Sequence, residues 1–315
     1  MGFVHDDDEF SELVQITATD LHISTSLVLK DYWVTHVLWS LGEDGFEIWF
    51  KGGTSLSKGF GLIQRFSEDL DLKLEHPDVP RVENWKSEGQ VATVARRAFF
   101  DRIVGLLSPP GMEASELAEL RQRHHKGIVV AARYPILFGD MPADMRPFVQ
   151  LEIGDARVNP FEERPITSWV HEKLIGLEQH SDYADNRPAA IRCINPLVTL
   201  IEKLDAIAKR FERDAMDAAG FVRHYEDAAR IIENAGDLPL PDGVSVRGLA
   251  SEMREMRQIT SIPSPTASCF SPTDDAKWSD LARAWERIES WFWGDRLSLT
   301  DCCRQIAQFI EDEVV

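Results

Sequence analysis

The chain is short of positive charge. Its 34 Lys and Arg residues face 53 Asp and Glu, which leaves a formal net charge of −19. Broad, non-specific adhesion to nucleic acid is driven by neutralising phosphates with basic side chains, so that class is excluded, although a local basic cleft on an acidic body is not. Long hydrophobic runs are missing too: nothing approaches the about 18 consecutive apolar residues of a membrane span. The first residues carry Asp6, Asp7, Asp8 and Glu9 where a secretory leader would be basic and then apolar. Cysteine is scarce, and Cys193, Cys269, Cys302 and Cys303 fit no metal-ligand spacing, so free thiols in a reducing cytoplasm are expected. There is no internal repeat, and no low-complexity block beyond a Pro/Ser/Thr-rich joint at 261–273. What remains is ordinary globular composition, 43% hydrophobic and 28% charged, on a chain of 315 residues. That length suits about two domains and a core that needs no disulfide or zinc.

The order of elements predicts an α+β domain over 1–195, with a mixed sheet flanked by helices, followed by a helical domain over 196–315. Residues 10–41 read as helices, with Leu27, Val34, Leu38 and Leu41 near helical spacing. A short strand at 46–50 runs into Lys51, Gly52 and Gly53, and a short helix is expected from Thr54 to Phe60. Leu70, Leu72 and Leu74 alternate strictly with Asp69, Asp71 and Lys73, the period of a half-buried strand. A helix is expected over 82–107 and another over 115–125, then strands over 127–134 and 146–153. Further helices are expected at 196–213, 219–234 and 244–258, with a last one carrying Trp278, Leu281, Trp285 and Ile288.

The chemistry concentrates in residues 51–74, KGGTSLSKGFGLIQRFSEDLDLKL. Two glycines that end a strand and open a helix leave unpaired N–H groups with room for an anion, a cradle for phosphate, and Thr54 and Ser55 add hydroxyls. Asp69 and Asp71, two apart on a strand, leave the same face. Two hard carboxylates are the usual protein share of a Mg2+ (or Mn2+) site completed by water and nucleotide phosphate. Glu152, on the polar face of VQLEI, would be a third ligand if that strand lay beside the Asp strand.

This pattern resembles the polymerase-β-like nucleotidyltransferase fold. More narrowly it is similar to the AbiEii/AbiGii nucleotidyltransferase toxins of abortive-infection and type IV toxin–antitoxin systems. The matching segments are KDYWVTHVL at 30–38, KGGTSLSK at 51–58, RFSEDLDL at 65–72, IEKLDAIAKR at 201–210 and RHYEDA at 223–228. The resemblance implies that Lys51, Gly52, Gly53, Thr54, Ser55 and Ser67 bind nucleotide and that Asp69 and Asp71 bind metal. It also implies that Lys203 and Arg210 serve the triphosphate and that Asp227 is the late acid near the transfer site, a place Asp214 or Asp217 could also take. The implied activity is transfer of a nucleotide from an NTP to an acceptor hydroxyl with release of pyrophosphate. The leading acceptor is the 3′ end of tRNA, the implied outcome growth arrest, and the implied partner a separately encoded antitoxin. An RNA acceptor would need a confined basic surface, for which Arg96, Arg97, Arg121, Arg123 and Lys126 are candidates. Transfer to a protein or small molecule, or a non-catalytic nucleotide-binding module, are the alternatives.

Each feature has a plainer reading by itself. The glycine pair could be an ordinary strand-to-helix turn and the aspartates a solvated strand face. Lys203 could be a surface lysine, and Asp227 could simply pair with Arg223 one helical turn earlier. The 30–33 patch reads as packing, and the His171–Glu172 pair fails as a zinc-protease motif because position 175 is Ile.

Overall fold

Strict alternation at 69–75 builds the strand on which the sheet is centred. The computed structural model describes residues 1–142, 145–213, 217–273 and 275–314. The chain divides into two compact units: Met1–Phe60, Phe66–Val158 and Glu162–Cys193 form the first, and Gly61–Arg65, Asn159–Phe161 and Ile194–Val315 the second.

The first unit begins with α1 (Phe10–Leu21) and α2 (Thr25–Glu43). Ser24 caps α2 by accepting the Leu27 N–H at 3.3 Å, and the helix is buried on all sides, so polar Lys30, Asp31, Thr35 and His36 need partners inside. β1 (Glu47–Lys51) runs directly into a single helical turn, α3 (Gly52–Thr54), and β2 (Asp69–Glu75) follows. After α4 (Gln90–Leu106) come β3 (Glu113–Glu116), β4 (Gly127–Arg133), β5 (Val149–Gly154), β6 (Phe161–Arg164), α5 (Trp169–Gly176) and β7 (Ile191–Ile194). The seven strands form one mixed sheet in the order β3-β4-β5-β2-β1-β7-β6. β2 lies at its centre, antiparallel to β1 and parallel to β5. Leu70, Leu72 and Leu74 are at most 2% exposed and face a core shared with Trp33, Val37, Phe100 and Ile103.

The second unit is helical: α6 (Pro196–Phe211), α7 (Ala218–Glu233), α8 (Val246–Glu255), α9 (Ala276–Arg287) and α10 (Leu299–Phe309). Asn195 caps α6, whose first helical position is Pro196, a residue that gives up only an N–H the helix could not use there. Phe221, Tyr225, Leu281 and Ile306 are wholly buried in its core.

Three local expectations are corrected. The helix expected over 82–107 starts only at Gln90, because Asn84 and Ser87 take the N–H groups of Ser87 and Gly89 in local turns that compete with a helix. Residues 115–125 form no continuous helix, only single 3-10 turns at Ala118–Leu120 and Arg123–His125: the exposed edge of β4 recruits β3, with Ser115 opposite Ala131 and Glu116 opposite Val130, and pairing overrides local propensity. The turn expected from Thr54 starts at Gly52 and loosens into a wide π-type turn over Ser55–Gly59.

Candidate active site

In the first unit the glycine loop and the acidic strand are held together by the sheet itself. Lys51, the last residue of β1, pairs in register with Asp71 of β2. The chain then turns at Gly52 with φ +75°, a left-handed conformation that costs an L side chain dearly. A Cβ built there would stand 2.8 Å from the Asp71 Cγ and nearer still to its carboxylate oxygen, so only glycine lets the acid sit against the loop backbone. Thr54, 2% exposed, fixes the arrangement: its hydroxyl lies 3.0 Å from the Ser67 carbonyl and 2.6 Å from the Asp69 carbonyl. Its proton is committed to that staple, so Thr54 positions the loop. The Ser55 hydroxyl is 1% exposed and finds no nitrogen or oxygen partner, with Cys193 beside it. Ser67 is half-buried and uses its carbonyl for Thr54.

Asp69 and Asp71 are half-buried on the polar face of β2, opposite the leucines. The strand that carries Glu152 is its parallel neighbour, with Asp71 opposite Glu152 and Asp69 opposite Gln150. Gln150 Nε2 donates to Glu152 Oε1 at 2.8 Å. Sequence reading missed Arg146, whose Nη1 donates to Asp69 Oδ1 and to Glu68 Oε1, each at 2.9 Å. Glu68, 4% exposed, also accepts the Arg146 backbone N–H at 2.9 Å and Lys30 Nζ at 2.7 Å. Burial pushes the Lys30 ammonium below its ordinary pKa while Glu68 pulls it back up. Asp31, next on α2, binds Lys58 Nζ at 2.5 Å and the Trp169 N–H at 2.9 Å. The 30–33 patch is therefore architectural: two buried ion pairs tie α2 to the end of the glycine loop and to the residue before Asp69. Acidic Glu68 beside Asp69 was the available hint.

Among the described residues no three carboxylate, imidazole or thiolate groups close into a ready-made metal cage. The donor set nonetheless suits a hard divalent cation that keeps several waters and shares its shell with phosphate. Two carboxylates leave one strand face, and one of them lies against a bare glycine backbone.

The second unit holds the other expected residues. Lys203 on α6 donates to Asp227 Oδ2 at 2.6 Å, and Arg65 holds both Asp227 oxygens, Nε to Oδ1 and Nη2 to Oδ2, at 2.7 Å. Asp227 is wholly buried. Burial alone would raise its pKa, but the two cations hold it well below the carboxylate range. With both oxygens taken, it is suited to positioning Lys203 and Arg65. Arg210 Nη1 lies 3.0 Å from His224 Nε2. Burial, helped by Lys203 and Arg210, pushes that imidazole well below its ordinary pKa, so His224 is a neutral acceptor. Asp217 is the N-cap residue of α7, and Asp214 lies outside the described residues.

The basic surface expected at 96–126 is corrected. Arg96 is fully buried and donates to the carbonyls of Asn84, Trp85 and His124, an internal strut for a strap of chain. Arg121 is neutralised by Glu116 and Asp101, and Lys126 pairs with Glu88 at 2.8 Å. Arg97 is exposed and faces Asp101 at 3.6 Å, and Arg123 is exposed as well. Among the described residues no helix is long and apolar enough to cross a membrane.

No curated protein matches the chain in a sequence comparison. The family described as nucleotidyl transferase AbiEii toxin, type IV TA system, matches residues 38–288, a span that contains the glycine loop, the Asp69–Asp71 strand, Glu152, Lys203 and Asp227. The chain belongs to that family of nucleotidyltransferase toxins.

Proposed function

We propose that the protein transfers a nucleotide from an NTP to an acceptor hydroxyl, most simply at the 3′ end of tRNA, and that this arrests growth until its antitoxin intervenes. One observation carries the reading: Asp71 is seated against the Gly52 backbone, with Asp69 on the same strand face, so phosphate cradle and paired carboxylates share one rigid corner. Asp69 and Asp71 would hold Mg2+ or Mn2+, with Glu152 adding negative charge from the neighbouring strand, and the metal would supply charge neutralisation at the phosphates. The first N–H groups of the turn at Gly52 and Gly53 have no intrahelical acceptor and are placed to bind phosphate oxygens. The acceptor oxygen then forms the bond to the α-phosphorus as the bond to the β-phosphate bridge breaks. Pyrophosphate departs, and the hydroxyl proton passes to a carboxylate of the group. Such transfer needs mainly positioning and electrostatics, the kind of assistance these residues offer. Lys203 and Arg210 enter as cations for the triphosphate on the strength of the family motif.

The test incubates the protein with each α-labelled NTP and total tRNA, and separately with a protein extract. Label on tRNA, lost in Asp69→Ala and Asp71→Ala, is expected. Label confined to protein would remove the RNA acceptor, and growth arrest that survives both substitutions would remove the enzyme.

A further inference from the structure

The cations of the first unit are largely spent on carboxylates, whereas cations outnumber carboxylates, among the described residues, around one concavity of the second unit. A cavity of about 620 Å3 opens where α6 ends, α7 begins and α9 passes, lined by Arg213, Lys277, Asp280, Arg283 and Arg287 together with two alanines. Asp280 is its one lining carboxylate among the described residues, and it is taken by Arg283. Lys277 Nζ donates to the Phe211 carbonyl at 2.7 Å and lies 5.0 Å from the centre of that ring, contacts that orient its charge without cancelling it. Arg213 and Arg287 are exposed and form no ion pair among the described residues. Several other arginines of this acidic chain do meet carboxylates: Arg164 with Glu162, Arg187 with Asp185, Arg192 with Glu47 and Arg230 with Glu233.

Four cations around a hollow with one carboxylate among the described residues repel one another, and an anion relieves that repulsion. Arginine's planar fork matches phosphate oxygens in particular. The shape selects among phosphates. Lys277, Asp280, Ala284 and Arg287 follow one another at helical spacing along a single face of α9. With a rise of about 1.5 Å per residue, Lys277 and Arg287 stand about 15 Å apart along the axis, longer than one phosphate group and suited to successive phosphates of a strand. We propose that this cavity binds the phosphodiester backbone of the acceptor RNA. The inference rests on the RNA acceptor proposed above and supplies the basic surface that residues 96–126 do not.

The test measures binding of fluorescent total tRNA at several salt concentrations to wild type and to Arg213→Gln/Arg287→Gln, with ATP titrated in a parallel arm. Both side chains are exposed, so the variant should unfold at the wild-type temperature. Removing two phosphate contacts is expected to weaken tRNA binding on the order of tenfold near physiological salt. It should also lower the slope of log K against log salt by about 1.4–1.8, with ATP binding unchanged. Wild-type tRNA binding with an unchanged slope in the variant would overturn the cavity assignment and leave the RNA acceptor standing. Loss of ATP binding in the variant would overturn it in favour of a small-phosphate site. A wild-type protein that binds no tRNA at low salt would overturn the RNA acceptor, and this proposal with it.

Discussion

Replacing Gly52 by alanine probes the contact on which the site is built. Two costs follow from the structure. At φ +75° an L residue pays about 1–2 kcal/mol of backbone strain. The new methyl would also stand 2.8 Å from the Asp71 Cγ and 3.2 Å from its Cβ, so the carboxylate or the loop must shift by about an ångström. A misplacement of about 1 Å at reacting groups costs on the order of 100-fold, or about 2.7 kcal/mol of barrier. Gly61 separates the two costs. It is also left-handed, at φ +65°, but a Cβ there meets open space. Gly61→Ala should therefore lose about 1–2 kcal/mol of stability and keep its activity. Gly52→Ala should lose as much or slightly more stability and about 100-fold in labelled-nucleotide transfer at saturating NTP. Unfolding temperature and transfer rate, read on both variants, decide the matter. A Gly52→Ala protein no less active than Gly61→Ala would refute the claim that the Asp71 carboxylate needs the bare glycine backbone.

Three more outcomes follow from buried charge. Burial lowers the pKa of His36 and of His171 from 6.5 to about 4. Between those values the unfolded chain binds protons that the folded one refuses, so this contribution is complete above pH 6.5 and falls away toward pH 4. At most about 3 kcal/mol is lost for each. Proton NMR should show both rings neutral at pH 5.5, and rings that titrate near 6.5 would contradict the burial argument. Lys30→Ala strips Glu68 of one buried partner and should cost about 3–5 kcal/mol in chemical unfolding, whereas a loss below about 1 kcal/mol would mean that the Lys30–Glu68 pair is not what ties α2 to β2. Asp227→Asn leaves Arg65 and Lys203 facing each other without their counter-ion; a similar loss is expected, and wild-type unfolding would show that the two cations do not depend on it.

The site's skeleton was legible because it is local. Alternation at 69–75 fixed which face carries Asp69 and Asp71, and the strand–glycine–helix order gave the turn that the structure forms at Gly52. The Lys30 and Asp31 pairings join residues far apart in sequence, which spacing alone cannot reveal; the 30–33 patch reads only as packing. Arg146 reads only as the first residue of a strand expected over 146–153, with no role given; β5 starts at Val149, and only the parallel β2–β5 register brings the segment before it alongside Asp69. The basic run at 96–126 misled because composition counts charges without their neighbours, and Arg96, Arg121 and Lys126 each face a carbonyl or a carboxylate. Strands β6 and β7, four residues each, were too short to stand out from loops.

In the proposed reaction Asp69 and Asp71, held beside the Gly52 loop, receive a divalent cation together with nucleotide phosphate. Calorimetric titration of a non-hydrolysable NTP analogue, with and without Mg2+, into wild type and Asp71→Asn tests it most directly. Tight, Mg2+-dependent binding to wild type is expected, with at least a tenfold loss in the variant, whose shape is unchanged but whose charge is gone. Equal binding by the two proteins, or binding indifferent to Mg2+, would contradict it.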